Sequence, residues 1–309
     1  MIVFATSDKG GTGRSVTVSN LAYRRALQGD DVCYLDFDFG SPTSGAIFHI
    51  NDAARGIPKL RNATEGRGLH SYVQGEISDP ARLDVWRTTE RLEMRGNPTS
   101  GGRLVLLPGN HGGGEFPRVE GDVKRVAGLF RTLDQEFALC IVDLSAGRSY
   151  ATDLVLEAIR SPLLKGVEFR WLVFHRWTKQ HIIAASGLVF GENGILGKGT
   201  KSIPDSGALV RFVRTAVVDP DSSQLSGLRP AQVAWLRRCN RELQELAGKH
   251  GLGHTMMLGE IPLEPMLQWR EQLVLDDDVY TRQVANRDTL EAFESLADRL
   301  FDKKRWETL

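Results

Sequence analysis

Near its start the chain runs from a short apolar stretch, Ile2 to Ala5, into Asp8-Lys9-Gly10-Gly11-Thr12-Gly13-Arg14-Ser15. Apolar positions at helical spacing follow at Leu21, Ala22, Ala26 and Leu27. Strand, glycine-rich loop and helix, in that order, are the layout of a phosphate-binding loop. The glycines let backbone N–H groups approach phosphate oxygens with no Cβ in the way. A helix N-terminus beginning near Gly13 adds the positive end of its dipole, and Ser15 would present a hydroxyl to a magnesium ion. A plain strand-to-helix turn would also ask for glycine, but motif and context together favour the phosphate loop.

Further apolar runs alternate with helical patterns. Val32 to Leu35 reads as a second buried strand, closed by Asp36-Phe37-Asp38. Phe137 to Val142, ending in Asp143-Leu144-Ser145-Ala146-Gly147, reads as a third, and Phe169 to Phe174 and Leu209 to Val218 complete the set. Helical spacing recurs between them, at Val123, Val126, Phe130 and Leu133, at Ile182, Ala185 and Leu188, over Arg229 to Gly251, and over Asp288 to Phe301 extending to Trp306. This alternation predicts an α/β fold: a doubly wound, mostly parallel sheet with helices on both faces. In such a sheet, ligands bind beyond the C-terminal ends of the strands, where Asp36, Asp38 and Asp143 fall. Asp36 and Asp38 could also cap a turn, and Asp143 a helix.

The string Lys9-Gly10-Gly11-Thr12-Gly13-Arg14-Ser15 resembles the deviant Walker A loop of the ParA/MinD family of P-loop ATPases (SIMIBI class), K-G-G-x-G-K-[ST], with Arg14 where that pattern has lysine. The resemblance runs from Ile2 to Leu300 and takes in Asp36-Phe37-Asp38 as the family's D-x-D, Asp143 to Gly147 as its D-x-x-x-G, and Leu258-Gly259-Glu260-Ile261-Pro262 as its L-G-x-I-P segment. It implies that Lys9, Gly10, Gly11, Thr12, Gly13, Arg14, Ser15, Val16 and Pro262 bind nucleotide. Ser15, Asp38 and Asp143 would hold Mg2+. Lys9 would reach across a dimer to the partner's phosphates, and Asp38 would orient the attacking water. Asp36 and Gly147 would act in the switch, the glycine N–H sensing the γ-phosphate. The implied cofactors are ATP (or GTP) and Mg2+, with base selectivity open because Arg214-Thr215 stands where the family carries V-N-[KR].

The implied function is an ATP-dependent dimeric switch with slow, partner-stimulated hydrolysis, positioning or regulating a cargo or complex. Arginine for lysine is not a conservative exchange at a phosphate site, so a catalytically inactive nucleotide-sensing scaffold is a second reading. A third is a partition-type nucleic-acid binder using the Arg170 to Lys179 stretch, whose aromatics are read more simply as core. An unknown activating protein is expected beside the nucleotide-dependent homodimer.

Lys+Arg and Asp+Glu both number 39, so no net field draws the chain to DNA or to an anionic membrane. Such a surface would need a local patch. Cys33, Cys140 and Cys239 lie far apart with no C-x-x-C pair. This predicts reduced core thiols and argues against the iron–sulfur relatives of the family. The expected location is cytoplasmic, peripheral to membrane or nucleoid if a surface is bound. The terminal helix is predicted to pack on the core rather than to anchor in lipid. The 309 residues are read as one domain, with a loop-rich insertion around 51–103 and a glycine-rich mobile loop around 189–207; the family resemblance implies a helix over Leu69 to Gly75, a strand over Leu104 to Leu107 and a last core strand running from Met256 toward Pro262.

Overall fold

A computed structural model describes residues 1–58, 67–96, 101–199, 209–219 and 227–307. Its strands are β1 (Ile2–Ser7), β2 (Val32–Phe37), β3 (Leu83–Asp84), β4 (Leu104–Leu107), β5 (Leu139–Leu144), β6 (Phe169–Arg176), β7 (Val210–Val217) and β8 (Met257–Pro262). Its helices are α1 (Arg14–Leu27), α2 (Ser44–Ile47), α3 (Leu69–Gln74), α4 (Val85–Thr88), α5 (Asp122–Glu136), α6 (Tyr150–Ala158), α7 (Lys179–Phe190), α8 (Pro230–Lys249), α9 (Pro265–Trp269), α10 (Asp276–Tyr280), α11 (Arg287–Phe301) and α12 (Lys303–Glu307).

The strands form one sheet in the order β3-β4-β2-β5-β1-β6-β7-β8. All neighbours pair in parallel except β3 with β4. The expected doubly wound sheet is therefore present. Every residue of β1, β2 and β5 is buried, because helices cover both sides. Ile2 and Phe4 pack in the layer holding α5, α6 and α7. Val3 and Ala5 pack in the opposite layer, with α1 and α11. Continuous apolar runs, rather than alternating ones, are what a strand covered on both faces requires.

Register does the work of assembling the site. Asp36 lies opposite Asp143, and Ala5 lies opposite Asp143 on its other side. The D-x-D segment and the loop after β1 therefore flank one carboxylate. Cys33 and Cys140 also pair across β2 and β5, as free, buried thiols.

Several expectations need correcting. The helix over 288–301 does not extend to Trp306. Asp302 turns out of helical conformation (φ −75°, ψ 97°) and α12 folds back. The 189–207 segment is no loop at its start: α7 continues through Phe190, and Ile195–Gly199 forms a single π turn on a buried Ile195. Residues 200–207 lie outside the described residues, as do 59–66 and 97–100 of the predicted insertion. The described part of that insertion holds α3, ended by Gly75 in the left-handed region (φ 80°), and the two-residue antiparallel edge β3.

At the end of β6, His175 is almost fully buried and its Nε2 has no partner. Burial pushes its pKa down to about 4 from 6.5. The folded state thus keeps His175 neutral while the unfolded chain takes up a proton near pH 6.5. Its contribution to stability is complete above that pH and is lost progressively toward pH 4, about 3 kcal/mol in all. Denaturant titrations at stepped pH should show this slope in the wild type and a shallower one in His175→Phe. Equal slopes would mean that His175 titrates normally.

Candidate functional site

The loop between β1 and α1 is built on backbone conformation. Gly11 and Gly13 sit in the left-handed region (φ 70° and 74°), which costs a side-chain-bearing residue energy. A Cβ on Gly10, Gly11 or Gly13 would meet nothing within 4 Å, so no packing demands these glycines. The open approach to the loop is what they preserve. Helix α1 starts at Arg14 with no side-chain cap on its N-terminus and no acidic residue in its first turn. Its free amides and positive dipole end face a cavity of about 330 Å3 lined by Gly10 to Val16, Asp38 and Thr43. A second cavity, about 230 Å3, shares Gly11, Thr12, Gly13 and Val16 with the first and extends to Thr215 and Pro262. Of the residues predicted to bind nucleotide, Gly10 to Val16 and Pro262 line these two adjoining cavities, and Lys9 lines neither.

Arg14 lines the first cavity and is held there by carboxylates. Its side chain is buried, and its Nε donates to Asp143 Oδ1 at 2.5 Å. Nη2 donates to Asp38 Oδ2 at 2.9 Å and to Ser15 Oγ at 3.2 Å, and Nη1 lies 3.5 Å from Ser7 Oγ. Burial opposes the Arg14 charge, but Asp143 and Asp38 outweigh it and raise its pKa above the ordinary arginine value. The other oxygen of Asp143 accepts the Tyr34 hydroxyl at 2.8 Å. Ser15, Asp38 and Asp143 do converge as predicted. They converge on a guanidinium.

Asp36 holds the loop that follows β2. Its Oδ2 accepts from the Ser44 N–H (3.0 Å) and hydroxyl (2.6 Å), and its Oδ1 from the Asp38 N–H (3.3 Å). Burial raises its pKa to about 7, against those Ser44 bonds. Gly147 (φ 77°) donates its N–H to the Ser7 carbonyl at 2.7 Å. That N–H is therefore not aimed at a γ-phosphate, as the sequence reading expected; it ties the loop after β5 to the end of β1. Lys9 is exposed and points outward, with Nζ 3.4 Å from Gln180 Oε1 on α7. Thr215 donates its hydroxyl to the Thr12 carbonyl at 2.5 Å. Arg214 lies over the Trp177 ring, 3.3 Å from its centroid, and pairs with Glu260. Neither offers the amide edge of the asparagine in V-N-[KR].

In the Arg170 to Lys179 stretch the aromatics of β6 belong to the core. Trp171 and Phe174 are fully buried, Arg170 lies over Trp306, and Trp177 donates to Asn240. Sequence reasoning missed Tyr34 and Glu271. Tyr34 looks like another core residue of β2. Glu271 lines both cavities but comes from a segment with no periodicity.

No family model matches the chain. The iron-sulfur cluster carrier protein of Pseudomonas fragi is 35% identical over 91 residues, 28% of this chain and 31% of that protein. The match thus spans about a third of that relative's length. Solved structures align over nearly the whole chain. The MinC:MinD cell division complex of Aquifex aeolicus aligns with TM-score 0.58 and 13% identity, over 97% of this chain and 95% of that one. A plasmid partition protein of Borrelia burgdorferi bound to AMPPNP gives 0.58 and 16%, over 98% of each chain. MinD of Pyrococcus horikoshii with Mg-ADP gives 0.52 and 14%, over 97% and 96%. The fold is that of the MinD and ParA ATPases. Within this MinD/ParA-like fold, Cys33 and Cys140 are buried, which pushes both thiols up in pKa and opposes the thiolate that a cluster needs. No group of three or more His, Cys, Asp or Glu suited to a metal ion occurs among the described residues. No helix among them is long and apolar enough to cross a membrane.

Proposed function

We propose that the chain is a ParA/MinD-like nucleotide-binding protein, one domain over residues 1–309, that dimerises with nucleotide and hydrolyses it very slowly. The observation that carries this reading is the uncapped N-terminus of α1 on a glycine loop, opening into the shared cavities. The Mg-ADP and AMPPNP complexes among its structural neighbours support it. In this reading the amides of residues 10 to 16 hold phosphates, and the Thr215 and Pro262 side holds the base. Lys9, outward and exposed, is available to a second copy's phosphates, where concentrated negative charge favours a cation. Turnover is slow because the oxygen of Asp38 that would orient water is engaged by Arg14. Magnesium does not fit the residues as they stand, since each of its expected donors already bonds Arg14. An activating protein partner would act by breaking that engagement.

Calorimetric titration with ATP, GTP and ADP, beside light scattering for mass, tests this. Wild type should bind nucleotide and become dimeric with a non-hydrolysable triphosphate. Lys9→Ala should bind within about threefold of wild type, under 1 kcal/mol, yet stay monomeric. Arg14→Lys should release phosphate at least about tenfold faster, roughly 1.4 kcal/mol off the barrier. Failure of all three nucleotides to bind at millimolar concentration would sink the proposal and leave the fold as a scaffold.

A further inference from the structure

We infer that Arg14 is this chain's own substitute for the magnesium ion, so that nucleotide binds without a divalent cation. This deepens the proposed function and rests on nucleotide binding at the loop. The guanidinium bonds all three residues that the sequence assigns to the metal, at Asp143 Oδ1, Asp38 Oδ2 and Ser15 Oγ. Magnesium takes oxygen ligands at about 2.0–2.1 Å in near-octahedral geometry. A guanidinium hydrogen-bonded to the same three oxygens fills the space between them, so the two cations exclude one another.

Asp143 is engaged on both oxygens: the one not bonded to Arg14 accepts the Tyr34 hydroxyl, so a metal ion or its water would have to compete with a donor already in place at either one. Arg14 also has no cheap retreat. It is 6% exposed, and a divalent ion would evict its charge into a site that then holds two cations. Lysine could not do the same job. Its ammonium is a compact point charge, whereas the planar fork of arginine spreads donors toward oxygens on different elements, here β5, the β2 loop and α1. Phosphate is then left to the loop amides and the α1 dipole, neither of which needs a metal.

The test uses the intact protein and ADP as probe. ADP affinity of wild type should be the same within about threefold in excess EDTA and in magnesium chloride. Arg14→Lys should free the carboxylates, and its affinity should fall at least about tenfold when EDTA replaces magnesium. Because Arg14→Lys could fold poorly, Mn2+ paramagnetic resonance on wild type gives a second reading. Wild type should remove no more free Mn2+ from solution with ADP than ADP removes alone. Wild-type binding that needs magnesium, or wild type that takes up Mn2+ with ADP, overturns the inference while leaving the nucleotide site intact. No ADP binding in either buffer overturns the nucleotide reading itself, and this inference with it.

Discussion

Asp143→Ala is expected to lower the unfolding free energy by about 3–5 kcal/mol, the range for removing one partner of a buried ion pair. Asp143 is 2% exposed and Arg14 6%, so water replaces the lost carboxylate only in part. Alanine also strips the Tyr34 hydroxyl of its acceptor. Asp38 remains beside Arg14 but is joined at Nη2 alone, and its side chain is 25% exposed. A carboxylate cluster waiting for a metal predicts the reverse sign. Asp36, Asp38 and Asp143 would then repel one another, and deleting one would stabilise the protein. Urea denaturation of Asp143→Ala, Arg14→Met and the double variant decides the matter. The double variant should cost clearly less than the two singles added, because each single strands its partner. A stabilised Asp143→Ala, or strict additivity, would show that the ion pair does not hold the site together.

Much of this site is legible in the sequence for a simple reason. A strand covered on both faces must be a continuous apolar run, and a polar residue ending it marks the C-terminal edge where ligands bind. Ile2 to Ala5, Val32 to Leu35 and Phe137 to Val142 announce three central strands, and Asp36, Asp38 and Asp143 announce their common end. The direction of the Arg14 side chain is not legible, because it depends on how close parallel pairing brings β2 and β5. Tyr34 is hidden for the same reason: its ring belongs to the core while its hydroxyl belongs to the site. The single N–H of Gly147 has one use, and only the packed loop shows that Ser7 claims it. Segment 263–286 carries no period, because α9 and α10 are five residues each and are placed by tertiary bonds. Among these are the paired contacts of Arg91 to both Asp278 oxygens and the Glu264 bonds to Asn286 and Thr289.

Trp306→Ala is expected to destabilise the chain by about 3–5 kcal/mol, as for emptying a buried aromatic site. Lys303-Lys304-Arg305-Trp306 is basic, but the tail is short and carries acidic residues, so the sequence favours packing on the core over a membrane anchor. The structure shows how the tail packs. The break at Asp302 folds α12 back, so that Trp306 is 1% exposed and its Nε1 donates to the Arg299 carbonyl near the end of α11. The guanidinium groups of Arg170 and Arg211 lie 4.6 and 5.5 Å from its ring centre. Arg211, fully buried on β7, donates to the carbonyls of Arg305 (2.9 Å) and Trp306 (2.7 Å). These two acceptors matter because a buried cation that loses them keeps its desolvation cost. Loosening the tail by Trp306→Ala thus removes apolar packing and frays the Arg211 bonds together. Arg211→Met, which removes the charge and keeps much of the bulk, should cost less than Trp306→Ala and should soften its effect in the double variant. Urea denaturation reads the stabilities, and flotation with anionic vesicles reads membrane binding. A Trp306→Ala protein of unchanged stability that has lost vesicle binding would overturn this and make the tail an anchor.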